Sequence, residues 1–337
     1  MDCPFGVPQT SLEVFSPFAF SAMDSRINIV CAADAGFTAH LATMLLSLVS
    51  NNRDWRFRVF VLHDGPLPGK QRLAEFLRSA LVEILFICVE DGALNGVALT
   101  LPNVTRVTYA RLLVDRLLPP DIDRVLYLDC DLVVCGEIGD LWKTDLHDKI
   151  VGAVTRATYP GPTDWPNSSE AFGGKLKLPP NAGYFNAGVL LINLRKWREK
   201  GVGARALAFV HDHPDRITSA DQCAINFAVH GDWLPLDPIW NHQQHGHYVF
   251  YCDLMCFKRM TRAERAAIRI VHFTGPLKPW HYLSYHPLKA EYLEYRNQTP
   301  WPLESYEDRS PHNIVRRFLH RYLPLLLPVY LGARKMI

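Results

Sequence analysis

Short apolar runs rich in β-branched residues alternate with helical patterns through the first half of the chain, and few folds accommodate that order. Residues 27–33 (INIVCAA) carry Ile27, Ile29 and Val30 and stop at Asp34-Ala35-Gly36. From Thr38 onward Leu41, Met44, Leu45 and Leu48 share one helical face. Residues 56–63 (RFRVFVLH) alternate, then end in the turn Asp64-Gly65-Pro66. The pattern goes on with a helix over 71–80, a strand over 83–89, a helix over 108–118 closed by Pro119-Pro120, and strands over 124–128 and 150–155. Buried strands alternating with helices predict a doubly wound, mainly parallel sheet. No G-x-G-x-x-G follows the first run, which removes the main support for a dinucleotide-binding reading.

The second half is less regular. Residues 155–182 are rich in Pro, Gly and Ser and read as a long loop over the site. Two strand-like pieces follow at 184–186 and 189–192, then helices over 194–200, 202–213 and 221–230 and a last strand over 269–273. With 48% hydrophobic residues in 337, the chain can bury a sizeable core, which excludes collagen-like, coiled-coil and disordered classes. The net charge of +2 offers no general nucleic-acid footprint. Residues 310–337 hold five cations (Arg316, Arg317, Arg321, Arg334, Lys335) and no acid, so the rest of the chain is slightly acidic.

Val315, Phe318, Leu319, Tyr322, Leu323 and Leu326 fall on one helical stripe of that tail, and Arg316, Arg317, His320 and Arg321 fall elsewhere. Such a basic amphipathic helix suits either an anionic membrane surface or docking on the body. The apolar stretch 322–333 contains Pro324 and Pro328 and is short of the ~20 residues a bilayer span needs. Residues 1–25 read as a loosely ordered lead-in without the charged start and continuous apolar core of a signal peptide. The cysteines lack a regular framework; Cys31, Cys88 and Cys130 sit in apolar runs and read as buried free thiols of a reducing cytoplasm. Cys252 and Cys256, four apart with no second close pair, are a weak zinc signal.

The segment Tyr127-Leu128-Asp129-Cys130-Asp131-Leu132-Val133-Val134 places two carboxylates inside a continuous apolar run. Burying both unpaired would cost several kcal/mol, so a cation should meet them. A straight strand points Asp129 and Asp131 to one face, and a bend at Cys130 lets them converge on one ion such as Mg²⁺ or Mn²⁺. The plainer alternative is a pair of aspartates capping a turn. A second segment, residues 270–281 (IVHFTGPLKPWH), begins as an apolar strand and turns at Gly275-Pro276. There His272 can complete a metal site as a neutral imidazole, Gly275 lets backbone approach phosphates, and Lys278, between two prolines, can neutralise a diphosphate. Taken singly, a core histidine and a surface lysine would serve as well.

These segments, with Ala32-Ala33-Asp34, Thr108-Tyr109-Ala110-Arg111-Leu112, Tyr184 through Leu194 and Asp221-Gln222, occur in an order that resembles glycosyltransferase family 8. The resemblance runs over residues 27–281. It implies a GT-A fold: one Rossmann-like nucleotide-sugar-binding domain over 26–285 with a mixed, mainly parallel sheet, followed by a C-terminal region, 286–337, with a helical basic tail. It implies a retaining hexosyltransferase using UDP-galactose or UDP-glucose and a saccharide or glycolipid acceptor such as a lipopolysaccharide. Asp129, Asp131 and His272 would hold Mn²⁺, with Mg²⁺ the alternative. Ala32, Asp34, Phe37 and Cys130 would meet the nucleotide. Asn186, Ala187 and Gly188 would line the donor sugar, and Gly275 and Lys278 would meet the diphosphate. Arg111 would reach the diphosphate or donor sugar, Asp221 the sugar hydroxyls, and Gln222 the anomeric carbon. Ser219 or Asp221 is equally readable as a helix N-cap.

Relatives often carry an Asp immediately after that glutamine; here it is Cys223, which argues against covalent double displacement at that position. Arg156 stands where some relatives have an acid facing the acceptor. The resemblance implies a cytoplasmic protein, peripheral on the inner membrane face. Two other readings are a catalytically inactive nucleotide-sugar-binding or scaffold protein on the same fold, and a metal phosphoesterase. The latter would want more carboxylate and histidine ligands than the chain offers.

Overall fold

The structure is a computed structural model that describes residues 12–15, 26–78, 81–90, 92, 94, 97, 104–156, 175–179, 182–243, 260–274 and 277–322. An eight-stranded sheet forms its centre. In chain order its strands are β1 (Leu12–Phe15), β2 (Arg26–Ala32), β3 (Arg56–His63), β4 (Val82–Cys88), β5 (Arg124–Leu128), β7 (Val151–Thr155), β8 (Phe185–Asn193) and β9 (Trp233–Pro235). They lie in the order β1-β4-β3-β2-β5-β8-β7-β9. β4, β3, β2 and β5 run parallel, β1 and β8 are antiparallel to their neighbours, and β9 is parallel to β7. The sheet is therefore mixed and mainly parallel, as the sequence pattern predicts.

Side-chain alternation explains why both faces are covered. Ile27, Ile29 and Cys31 of β2 and Leu126 and Leu128 of β5 pack in one apolar cluster with helix α1 (Thr38–Ser50). Val30, Val125 and Tyr127 point the other way, into a cluster under three helices: α5 (Leu194–Glu199), α6 (Val202–Asp212) and α7 (Ala220–Ala228). Period-two strands with apolar residues at both parities can be satisfied only between two helical layers.

After β2 the chain adds β3 and β4 on one side, then crosses to place β5 on the other. The crevice beyond the carboxyl ends of β2 and β5 is thus a topological switch point, where open α/β sheets bind ligands. A small second sheet closes over it: β10 (His242–Gln243), β11 (Ile270–His272) and β6 (Leu132–Val134), in that order. β11 is antiparallel to β6, with His272 opposite Leu132, so the histidine arrives beside the Asp129–Asp131 turn.

Several local expectations are corrected. Residues 184–192 form one strand, Phe185–Asn193, not two pieces. Its polar and small interior (Asn186-Ala187-Gly188) breaks the apolar pattern, but Asn186 is buried and hydrogen-bonded. The segment expected as one helix over 108–118 is a 3₁₀ helix, Arg106–Leu113, continued by the short α3 (Val114–Leu117). The helix expected over 71–80 is α2 (Lys70–Phe76). Cys31, Cys130 and Cys223 are buried free thiols, but Cys88 is half-buried. Most of the 155–182 loop, the pair Cys252 and Cys256, Gly275, the tail beyond residue 322, and residues 1–25 apart from β1 lie outside the described residues.

The described part of the tail helix docks on the body, one of its two expected roles. Helix α10 (Pro311–Tyr322) docks through Arg317, which donates to the Tyr282 carbonyl and lies 4.7 Å over the Tyr282 ring. Asn313 Nδ2 adds a bond to the Asp308 carbonyl at 2.6 Å. Ile314, Val315, Phe318 and Tyr322 remain exposed.

Candidate active site

β5 ends at Leu128, and Asp129-Cys130-Asp131 form the turn into β6. The bent alternative of the sequence reading is therefore the one adopted. Asp129 N–H donates to the Gly188 carbonyl at 2.9 Å, and the Asp131 carbonyl accepts from Phe273 N–H at 3.0 Å, which locks the turn between β8 and β11. Cys130 turns its thiol to the Ala32 carbonyl, 3.3 Å away, tying the turn to the end of β2.

Asp129, Asp131 and His272 each offer a donor atom within 4.8 Å of the others. Asp131 Oδ1 is buried and takes no hydrogen bond, although His272 Nε2 is 3.1 Å away. The cradle also has no room for a side chain at 188: a Cβ there would stand 2.0 Å from His272 Cε1 and 2.7 Å from Asp129 Oδ2. Two carboxylates, one with an orphaned buried oxygen, and an imidazole fit a divalent cation. Lys278 closes on Asp131 Oδ2 and also donates to the Phe273 carbonyl at 2.7 Å. Burial alone would raise the Asp131 carboxyl, but Lys278 and His272 more than offset it and hold it well below the usual carboxylate range.

On the other side of Asp129 lies Arg111. In the 3₁₀ helix, residues three apart eclipse, and Arg111 Nε reaches the Thr108 carbonyl at 3.3 Å. Its guanidinium pairs with Asp129 Oδ1 at 2.7 Å and Asp221 Oδ2 at 2.9 Å, donates to the Ala187 carbonyl at 2.9 Å, and lies 4.2 Å over the Tyr127 ring. Asp221 is 4% exposed, so its role is not that of a solvent-facing cap; burial raises its carboxyl to about 6 despite Arg111. Ser219 occupies the N-cap position of α7 without capping it, and its hydroxyl accepts from Arg156 at 3.0 Å. The next residue, Ala220, adopts φ +48°, a left-handed backbone that costs a non-glycine residue about 1–2 kcal/mol. Strain of this kind is tolerated where the surroundings over-determine it, and here it turns Asp221 and Gln222 inward.

Gln222 accepts from Ala187 N–H and Asn186 Nδ2, both at 3.1 Å, and donates to the Tyr184 hydroxyl at 3.0 Å. The buried Cys223 thiol meets Tyr184, Thr218 and Ser219 instead of the crevice. The opposite wall is β2's end. Asp34 accepts from Gly36 N–H at 3.0 Å and the Thr105 hydroxyl at 3.1 Å. Phe37 sets its edge against Trp280 at 6.1 Å, and Trp280 stacks on His40 at 3.6 Å.

Of the expected residues, the fold brings Arg111, Asp129, Asp131, Asn186, Ala187, Asp221, Gln222, His272 and Lys278 together at the switch point. The thiol of Cys130 faces β2 instead, and Gly275 is not described. Sequence reasoning placed Gly188 at the donor sugar but missed its close approach to His272, and it missed Asn241 altogether. A glycine inside an apolar strand run is a signal for close approach, whereas nothing around Asn241 marks it.

A mainly parallel sheet with a D-x-D turn, a histidine and a buried Arg–Asp pair at its switch point defines the GT-A class of glycosyltransferases. The sequence profile described as Glycosyl transferase family 8 matches residues 28–284, and the chain belongs to that family. It is 30% identical to General stress protein A of Bacillus subtilis over 287 residues, 82% of this chain and 96% of that protein. It is 26% identical to the lipopolysaccharide 1,2-glucosyltransferase of Escherichia coli over 305 residues, 89% of this chain and 86% of that one. The crystal structure of the galactosyltransferase LgtC in complex with donor and acceptor sugar analogues superposes with a TM-score of 0.67 at 27% identity, covering 81% of this chain and 96% of LgtC.

Proposed function

We propose that the chain is a retaining hexosyltransferase that moves galactose or glucose from a UDP-sugar to a saccharide acceptor, a lipopolysaccharide or other glycolipid. The observation that carries this reading is the convergence of Asp129, Asp131 and His272 on one point, beside the buried Arg111–Asp221 pair and Gln222. The names of the relatives, a lipopolysaccharide glucosyltransferase and a galactosyltransferase among them, support the donor and acceptor classes.

Asp129, Asp131 and His272 would hold Mn²⁺, with Mg²⁺ as the alternative. Bound there, the ion would supply positive charge to the departing diphosphate. Lys278 sits on Asp131, within reach of the same anion, and adds a compact cation. Arg111 presents a planar fork between Asp129 and Asp221 and orients the donor sugar with Asp221 and Asn186. Asp34 and Phe37, at the end of β2, take the nucleoside. Gln222, held by three hydrogen bonds and carrying no ionisable group, is a fixed dipole for the anomeric centre. The Cys223 thiol is buried and engaged, so the position after Gln222 supplies no nucleophile for a covalent intermediate. The front-face route follows, in which the leaving diphosphate accepts the acceptor's proton.

The exposed stripe Ile314, Val315, Phe318 and Tyr322 on α10, with the tail's cations other than the docked Arg317, supports a peripheral seat on an anionic membrane. No helix among the described residues is long and apolar enough to cross a membrane. A UDP-sugar donor and a lipid-linked acceptor would meet at the cytoplasmic face of such a membrane.

A thermal-shift panel of UDP, UDP-galactose and UDP-glucose, each with and without Mn²⁺, tests the reading. A ligand at 100 times its Kd stabilises by about 2.7 kcal/mol, so the cognate donor should raise Tm by several degrees only with the ion present. Asp131→Ala and His272→Ala should abolish that increment and Mn²⁺-dependent turnover. Equal shifts in either variant, or none with any donor, would contradict the proposal.

A further inference from the structure

Behind the candidate metal ligands, buried amides form one chain whose direction follows from the backbone. Ala187 N–H donates to Gln222 Oε1 at 3.1 Å, and Gly188 N–H donates to Asn186 Oδ1 at 2.9 Å. A backbone N–H can only donate, so both side-chain oxygens are identified. Asn186 then turns its NH₂ to Gln222 Oε1 at 3.1 Å, and its oxygen accepts the Asn241 NH₂ at 2.9 Å. The remaining end of Asn241, Oδ1, is 3.0 Å from His272 Nδ1. An amide oxygen can only accept, so Nδ1 carries the proton. In the neutral ring Nε2 then keeps its lone pair, 3.6 Å from Asp129 Oδ2 and 3.1 Å from Asp131 Oδ1. All four side chains are less than 9% exposed, Asn241 only 1%, so each hydrogen-bonding group depends on its protein partner.

We infer that Asn241 is a positioning residue that holds His272 in the Nδ1–H tautomer, the one that presents Nε2 to a divalent cation, and ties that ligand through Asn186 to Gln222. The tautomer follows from the hydrogen bonds alone; its use in binding an ion rests on the proposed metal-dependent reading. Asn241 competes for the ring's single proton with Asp131 Oδ1, the buried oxygen that takes no hydrogen bond. Without the asparagine, the ring gains by moving that proton to Nε2 and donating to Asp131. The histidine and the carboxylate would then satisfy each other, and the lone pair would be lost to a metal. The fold delivers Asn241 because it precedes β10, which lies parallel to β11 with Gln243 opposite His272.

The test uses the full chain with ¹⁵N-labelled histidine, metal-free at a pH where the imidazole is neutral, with His272→Gln assigning the signal. Long-range ¹H–¹⁵N correlations should show Nδ1–H for His272, and an Nε2–H pattern would overturn the inference. Mn²⁺ affinity, read by the electron paramagnetic resonance of the free ion, should fall at least tenfold in Asn241→Leu, on the scale of lost outer-shell partners. Wild-type affinity in that variant would also overturn it. Asn241→Asp keeps an acceptor for Nδ1–H but loses the donor to Asn186. It should hold Mn²⁺ within threefold of wild type while turnover falls, and a tenfold loss of Mn²⁺ there counts against the tautomer lock. Should Asn241→Leu fail to fold, the wild-type spectrum and the aspartate variant still decide. Nδ1–H in a wild-type protein that binds no Mn²⁺ would sink the metal reading and leave the lock standing.

Discussion

Gly188→Ala should separate the geometry of the metal cradle from general packing. A Cβ at this position would stand 2.0 Å from His272 Cε1, 2.6 Å from its Nδ1 and 2.7 Å from Asp129 Oδ2. Carbon atoms at rest lie ~3.5 Å apart or more, so the imidazole must retreat by about 1.5 Å or the strand must move. The strand is pinned on both sides, since Gly188 N–H donates to Asn186 and its carbonyl accepts from Asp129. The ring therefore yields, and its 3.0 Å bond to Asn241 cannot survive such a shift. Over-packing should cost about 1–3 kcal/mol of stability. Misplacing the ligand and its outer-shell partner should weaken Mn²⁺ binding ~10–100-fold, about 1.4–2.7 kcal/mol. Gly152→Ala is the control: its Cβ would meet Leu146 Cδ2 at 2.8 Å and Leu236 at 3.3 Å, flexible ends in the apolar layer. Urea unfolding and Mn²⁺ titration of both variants form the assay. Both should lose stability and only Gly188→Ala should lose the metal; equal Mn²⁺ affinity in the two would refute the reasoning.

Other outcomes follow from the charges. Burial, reinforced by Arg296, lowers the His40 ring from 6.5 to about 3, so its contribution to stability is full above pH 6.5 and is lost as pH falls, by about 2 kcal/mol at pH 5. Asp221 acts in the opposite sense: raised from 3.8 to about 6, its contribution is full below 3.8 and is lost as pH rises through 6. Urea melts at pH 5 and 7 should therefore show His40→Phe relatively more stable at pH 5 than wild type by about 2 kcal/mol, and Asp221→Asn relatively less stable by about 1; unchanged slopes would reject both assignments. Arg111→Met leaves the buried Asp221 and the half-buried Asp129 without their shared cation and should destabilise by about 3–5 kcal/mol in the same melts; a loss under 1 would show the pair is not a structural unit. Phe318→Asp, on the exposed stripe of α10, should reduce sedimentation with anionic vesicles while leaving turnover on a soluble acceptor unchanged; undiminished sedimentation would remove α10 from the membrane proposal.

Legibility in the sequence tracked how locally each feature is caused. Strands β2 to β5 were readable because residues of both parities are apolar, and Asp129 and Asp131 stood out because charge inside such a run demands a partner. Strand β8 was read as two pieces because the polarity of Asn186 is answered by Gln222 and Asn241, which are remote in the chain. The amphipathic stripe of α10 was visible, but its orientation was not. Arg317 stacks on Tyr282, 35 residues earlier in the chain, while Ile314, Val315, Phe318 and Tyr322 stay exposed.

The order of apolar runs and turns, acting through neighbours a few residues apart, was enough to determine an α/β architecture with helices on both faces of a sheet and to mark the aspartate pair and the His272–Lys278 loop. Strand register and sheet order decided the rest. They alone set β11 beside β6, Gly188 against the imidazole, and Asn241 on its Nδ1, because a hydrogen bond's direction and a missing methyl group matter only once distant backbones have met.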